Sequence, residues 1–132
     1  LVYHNEPAGK VKMHAYALER LHLYSEGRIA TAMLTESEMD SFGPEAYTEG
    51  IVEKLRDIDT VEIAAFLRQK GKDVKVSLRA KKYADVARVA ASRNGGGHPR
   101  AAGYTEYGIT AAEAEKIAVQ LVEKELEACW KE

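Results

Sequence analysis

The spacing of apolar positions divides the chain into alternating helical and extended stretches. Across residues 10–24, Val11, Ala15, Leu18 and Leu21 recur three or four apart, with Ala17 and Tyr24 beside them. That is the stripe of an amphipathic helix, and Ser25-Glu26-Gly27 ends it. Residues 28–34 form an apolar run of strand length, punctuated on both sides. After a loop holding Gly43 and Pro44, Tyr47, Ile51, Leu55 and Ile58 mark a second helix. Thr48 is its expected N-cap, with Gly50 in the first turn.

Residues 60–68 and 73–80 read as two strands of a hairpin that turns at Gln69-Lys70-Gly71-Lys72. The first places Val61, Ile63, Ala65 and Leu67 on one side and Ala64 and Phe66 on the other, so both of its faces are expected to be buried. The second alternates cleanly, with Val74, Val76, Leu78 and Ala80 opposite Lys75, Ser77 and Arg79. Same-face neighbours stand about 6.6–6.8 Å apart along a strand, so these three polar side chains form a row. Asp85 is placed to cap a short helix through Val86, Val89, Ala90 and Arg93, which Asn94 and Gly95 end. Residues 102–107 look like a further strand. The last helix opens with a Thr110…Glu113 capping box and carries Ala114, Ile117, Ala118, Leu121, Val122 and Cys129 on a stripe interrupted by Glu125.

This pattern predicts a single α+β domain with a mixed sheet of four or five strands covered by helices and preceded by a helical linker. Residues 1–24 are expected to be the linker and its helix, and residues 25–132 the domain. A hydrophobic fraction of 45%, with 10 Gly and 3 Pro, is ordinary globular composition. No apolar run approaches the ~18–20 residues of a membrane span, and no signal-peptide pattern opens the chain. The single cysteine, Cys129, rules out an internal disulfide and is expected to be a packed thiol, which makes a cytoplasmic location the expectation.

Charge changes this picture more than composition does. The net charge is −2, yet residues 68–100 carry ten Lys and Arg against only Asp73 and Asp85. That segment is +8 and the remainder −10. A region with that bias attracts anions, phosphates above all. Within it lies Asn94-Gly95-Gly96-Gly97-His98-Pro99-Arg100-Ala101-Ala102-Gly103. Consecutive glycines are conformationally expensive, and what they permit is close approach of a ligand to backbone N–H groups, the geometry of an anion nest. His98 would add a side-chain donor there. The competing reading makes Gly95 a helix C-cap, the other glycines a tight turn and His98 an incidental surface group. No Gly-Lys-Ser/Thr follows, so the loop is not a Walker motif.

The Gly-Gly-Gly-His-x-x-Ala-Ala-Gly run at 95–103, with Val-Ser-Leu-Arg at 76–79 and Thr-Glu-Gly at 48–50, closely resembles the C-terminal DHH-associated domain of DHH phosphoesterases. That family includes RecJ-like exonucleases, bacterial nano-RNase/pAp phosphatases and cyclic-dinucleotide phosphodiesterases. Arg28-Ile29-Ala30 and Ile63-Ala64-Ala65-Phe66 are most similar to the nano-RNase branch. The resemblance implies a substrate-binding domain whose glycine-histidine loop, here Gly95, Gly96, Gly97 and His98, holds substrate phosphate. It implies the same for Arg79, with Ser77 nearby, while Arg100 fills a variable position of the motif. It also implies manganese-dependent hydrolysis of short oligonucleotides or pAp by the intact enzyme, with the manganese held by an N-terminal domain that carries an Asp-His-His motif. That motif is absent from these 132 residues, so no cofactor is expected on this chain and the chain alone is expected to be inactive.

The partners implied are a short single-stranded oligonucleotide or nucleoside phosphate, the N-terminal DHH domain and a possible second copy of the chain. The alternative function is a stand-alone interaction module whose basic face docks an acidic protein. His4, His14 and His22 are expected to be solvated. Trp130 is read as core or docking residue. Tyr104 and Tyr107 are expected to pack, with contact to a nucleobase as the other reading.

Overall fold

Alternation of period two builds the centre of this protein, and short turns with positive φ build its edges. The structure, a computed structural model, describes residues 5–131 and the side chains of residues 5–129; His4 and the Trp130 side chain lie outside them. Six strands form one sheet: β1 (His22–Tyr24), β2 (Ile29–Leu34), β3 (Ile63–Lys70), β4 (Asp73–Ala80), β5 (Gly96–His98) and β6 (Ala101–Tyr107). Their order across the sheet is β1-β2-β3-β4-β6-β5. β2 and β3 run parallel, and every other neighbouring pair is antiparallel. The helices are α1 (Ala8–Glu19), α2 (Glu36–Phe42), α3 (Ile51–Arg56), α4 (Val86–Ala91) and α5 (Ala111–Lys131), with a 3-10 turn at Glu45–Thr48.

The α+β architecture and the mixed sheet agree with the sequence reading, but the sheet has six strands instead of four or five. The two extra strands are three-residue edges, too short to show alternation. The expected helix over residues 10–24 ends at Glu19. Ser25, Glu26 and Gly27 all take positive φ, at 53°, 59° and 84°, and reverse the chain so that β1 pairs back onto β2.

The segment between β2 and the 3-10 turn, expected to be loop, contains α2. The Thr35 hydroxyl accepts from the Glu38 N–H at 3.2 Å while the Glu38 carboxylate accepts from the Thr35 N–H at 2.8 Å, a reciprocal cap. Thr48 is not the N-cap of the next helix. Its hydroxyl donates to the Glu45 carbonyl at 2.8 Å, and Gly50, at φ 97°, precedes α3. A left-handed residue cannot continue a right-handed helix, so the expected long helix becomes a 3-10 turn and a short α-helix.

Each sheet face holds its own core. Ile29, Ile63, Leu67, Val74, Val76, Leu78 and Tyr104 pack against α4 and α5 through Val86, Val89, Ala118 and Val122. On the other face Ala30, Leu34, Ala64 and Phe66 pack against α1, α2 and α3 through Met13, Ala17, Met39, Ile51 and Leu55. β3 is buried on both faces, as its apolar run predicts. His14 is buried instead of solvated, with Nε2 bonded to the Tyr47 carbonyl at 2.8 Å and Nδ1 2.8 Å from Lys54 Nζ. Burial, and secondarily the positive charges of Lys54 and Lys10, hold its pKa below the usual histidine value. His22 is exposed and bonds Glu115 of α5, which also accepts from Tyr24 and Thr31.

Glu125, which interrupts the apolar stripe of α5, is 5% exposed and ties α5 to α4. It accepts from Arg88 Nε and Nη2 at 2.8 and 2.7 Å and from the Asp85 N–H at 2.9 Å, with the Cys129 thiol 2.9 Å away. Burial pushes its carboxyl up, but these hydrogen bonds outweigh it and the pKa lies below the usual value. Such a carboxylate adds stability that is complete above the unfolded pKa and is lost as pH falls through the folded one. Glu38, Glu45 and Glu113 shift the same way. Stability in urea titrations is therefore expected to decline below the ordinary glutamate value of 4.5. Glu125→Gln is expected to cost about 1–3 kcal/mol at pH 7 and to flatten that acid limb. An acid limb as steep as the parent's would contradict this account.

Candidate functional site

Helices α1, α2 and α3 cover only part of their side of the sheet. Their core takes residues from β2 and β3 and none from β4 or β6. The far half of this face, on β4, β6 and β5, is open. Directly paired residues of antiparallel strands share a face, so the register identifies what lines it. Lys75 stands beside Thr105, Ser77 beside Gly103 and Gly96, and Arg79 beside Ala101 and His98. Small residues between the polar ones keep the floor low. Arg79 and His98 flank it two strands apart, about 10 Å on the usual strand spacing.

Two clefts meet on this floor. One, of about 620 Å³, is lined by Lys75, Gly95, Gly103, Thr105 and Tyr107. The other, of about 420 Å³, runs beneath Thr48, Gly50 and Glu53 to Arg79. Arg68 and Ser77 line both.

The glycine run has a structural explanation that differs among its members. Asn94, at φ 64°, closes α4, with its own N–H bonded to the Ala91 carbonyl at 3.2 Å and the Gly95 N–H bonded to that of Ala90 at 2.8 Å. This is the Schellman arrangement of a helix end. The chain then enters β5, so a nest of free N–H groups does not form at Gly95. A Cβ on Gly95 would sit 2.2 Å from the Gly103 carbonyl oxygen. One on Gly97, where φ is 145°, would sit 2.6 Å from the Ala101 oxygen. These two are glycine because β5 lies tightly on β6. Gly96 is different, since nothing comes within 4 Å of a Cβ there. Its missing side chain leaves the open floor bare beside Ser77 and Gly103.

His98 is exposed, and its Nδ1 accepts from the Arg100 N–H at 3.1 Å. The neutral ring therefore carries its proton on Nε2, which leaves that nitrogen as the free donor. The Arg100 guanidinium donates to the Ala84 carbonyl at 2.6 Å and so braces the β5–β6 turn against the loop before α4. Arg79 donates from Nε to Glu53 at 3.2 Å and from Nη1 to the Leu78 carbonyl at 2.9 Å. Arg68 donates to Glu45 at 3.0 Å and to Ser77 Oγ at 3.4 Å, and its buried Nε has no partner among the described residues.

The +8 segment does not survive as a uniformly basic face. Arg68, Lys70, Arg79, Arg88 and Arg93 each bond a carboxylate from elsewhere in the chain or, for Arg93, from β6. Lys81 and Arg100 bond carbonyls. Tyr104 is buried on the helix-covered side, where burial and then the Glu106 charge push its hydroxyl pKa up. Tyr107 is 72% exposed at the rim of the larger cleft. Arg68, Glu45 and Glu53 escaped the sequence reading as members of this site. Only the period-two step from Phe66 to Arg68 marked Arg68, and nothing local marked the two acids.

The glycine assignments are testable by stability. Gly95→Ala and Gly97→Ala are expected to destabilise by roughly 1–3 kcal/mol through overpacking against β6. Gly96→Ala is expected to stay within about 0.5 kcal/mol of the parent. Chemical denaturation of the three variants checks this, and an equal loss at all three would refute the distinction.

Comparison with known proteins identifies the family. Residues 28–128 match the DHHA1 domain family. Over 120 residues the chain is 28% identical to the bifunctional oligoribonuclease and PAP phosphatase NrnA of Thermus thermophilus, covering 91% of this chain and 36% of that protein. An exopolyphosphatase-related protein from Bacteroides fragilis superposes with a TM-score of 0.85 at 32% identity, covering 93% of this chain and 36% of its own. The pGpG-specific phosphodiesterase PggH from Vibrio cholerae shares the fold, with a TM-score of 0.63 at 15% identity over 87% of this chain and 39% of its own. The chain thus spans little more than a third of the length of these relatives. With a match from β2 to the last turns of α5, the chain belongs to the DHHA1 domain family.

Proposed function

We propose that this chain is the substrate-binding part of a DHH-family phosphoesterase and holds the phosphates of a short oligonucleotide or nucleoside bisphosphate on the open half of its sheet. One observation carries the reading: Ser77, Arg79 and His98 fall on adjacent rows of the uncovered face, with only Gly96, Ala101 and Gly103 between them. The Arg79 guanidinium offers N–H groups beyond those given to Glu53 and Leu78. His98 offers Nε2–H, Ser77 a hydroxyl, and bare Gly96 lets a phosphate approach the backbone. Arg100 contributes by bracing the turn that carries His98.

Charge-assisted hydrogen bonds contribute about 1.5–3 kcal/mol each, so a few of them hold a short substrate without reading its bases. In the intact enzyme this face would present the scissile ester to a partner domain that supplies manganese. Among the described residues no three His, Cys, Asp or Glu side chains group as metal ligands. The work proposed for Ser77, Arg79 and His98 is binding and orientation of the phosphate. With half of the basic side chains of residues 68–100 already paired to carboxylates, a docking face for an acidic protein has less support.

Binding of a 5′-labelled short oligoribonucleotide checks the reading. Arg79→Ala and His98→Ala are each expected to weaken binding about tenfold or more, with losses similar across base sequences and affinity falling as salt rises. Unchanged binding in both variants would refute it.

A further inference from the structure

Basic groups on the two sides of the sheet are held by carboxylates in two distinct ways, Arg93 on the helix-covered side and Arg79 and Arg68 on the open one. Arg93 makes a two-pronged contact with Glu106, at 3.0 and 2.7 Å, and the Glu106 side chain is only 8% exposed. That pair is built into the scaffold, because parting it would strand a buried charge. Arg79 meets Glu53 through a single contact of 3.2 Å, and the Glu53 side chain is 38% exposed. Arg68 meets Glu45 at 3.0 Å, and Glu45 divides itself between Arg68 and Lys70. Glu53 and Glu45 stand on α3 and the 3-10 turn, which wall the smaller cleft just where α1, α2 and α3 stop covering the sheet.

A carboxylate and a phosphate oxygen make the same kind of charge-assisted bond to a guanidinium. We infer that Glu53, with Glu45 as a weaker second, is an internal competing anion: in the free protein it engages Arg79 from the phosphate-facing side, and bound phosphate must displace or repel it. This rests on the phosphate reading above and deepens it. The site would then hold its anion less tightly than an unopposed arginine would, with affinity reduced by the negative charge beside it. The benefit is release, because a site that must let go of short products works best when a built-in anion retakes the arginine. The same contact steers the empty Arg79 and keeps it from reaching for other acids. The alternative role for Glu53, a brace that holds Arg79 in its binding pose, predicts the opposite sign on mutation.

Glu53→Gln separates the two, since the amide oxygen can still accept from Arg79 Nε while the charge is gone. The 132-residue chain is titrated with adenosine 3′,5′-bisphosphate, followed by NMR, at low and at high salt. Glu53→Gln is expected to bind roughly 3- to 5-fold tighter than the parent, Glu45→Gln to gain less, and the gain to shrink as salt screens the repulsion. Thermal midpoints report folding independently and are expected to be unchanged for Glu53→Gln. Equal or weaker binding by Glu53→Gln, with Arg79→Ala still impaired, overturns the competing-anion role and leaves the phosphate site standing. Arg79→Ala binding as tightly as the parent overturns this inference, and the same result with His98→Ala as well overturns the phosphate site itself.

Discussion

The constraint on which the molecule depends is a mismatch of coverage across one sheet. α4 and α5 cover their face from β2 to β6, and α5 supplies Glu115, whose carboxylate serves His22, Tyr24 and Thr31. On the other face the apolar core under α1, α2 and α3 stops at β3, and α3 meets β4 through the polar contact of Glu53 with Arg79. A sheet face that water reaches must carry polar or small residues, and here it carries Lys75, Ser77 and Arg79 between Gly103 and Ala101 on one side and Ala64 and Phe66 on the other. The alternation of β4 is therefore a packing device on one face and the basis of the proposed site on the other. Val74, Val76 and Leu78 secure the strand through the fully covered side, so its other side is free to hold charge.

Buried carboxylates do the remaining positioning. Glu62, 5% exposed, accepts the N–H groups of Lys82, Tyr83 and Ala84 at 2.8–3.2 Å and fixes the turn out of β4. Glu125 fixes the start of α4, and Glu106 fixes its end through Arg93. Since α4 delivers the chain into β5, these acids determine where Gly96 and His98 lie. Removing one partner from such a pair leaves a buried charge or amide unsatisfied, which couples the placement of the site to the stability of the fold. The half-buried acids Glu45 and Glu53 meet arginines from the side that water reaches. There a pair is weak and exchangeable.

Several elements were legible because local physics decides them. β4 alternates over eight residues and forms with the expected bounds. Asp85 caps α4 through the Arg88 N–H, and Thr110 with Glu113 caps α5 reciprocally. α2 carries an equally local signal in Thr35 and Glu38, but its seven residues show little periodicity, so the apolar pattern there predicts a loop. β1 and β5 were illegible for another reason. Three-residue strands have no period of their own and exist because a neighbour accepts them. His14 illustrates the same limit, since its burial depends on Tyr47 and Lys54, 33 and 40 residues away.

By itself the sequence determined the α+β class, the polar row of β4 and the glycine-histidine segment, because each rests on period, capping or backbone freedom within a few residues. Tertiary structure alone decided that the row and the segment share one open face, since only strand register carries Arg79 past Ala101 to His98. It also decided the electrostatics. The opposed charges of residues 68–100 and the rest of the chain look like a basic module on an acidic scaffold when counted along the sequence. Folding brings the two sets into contact, because a guanidinium leaving bulk water needs an acceptor and the nearest are carboxylates distant in sequence.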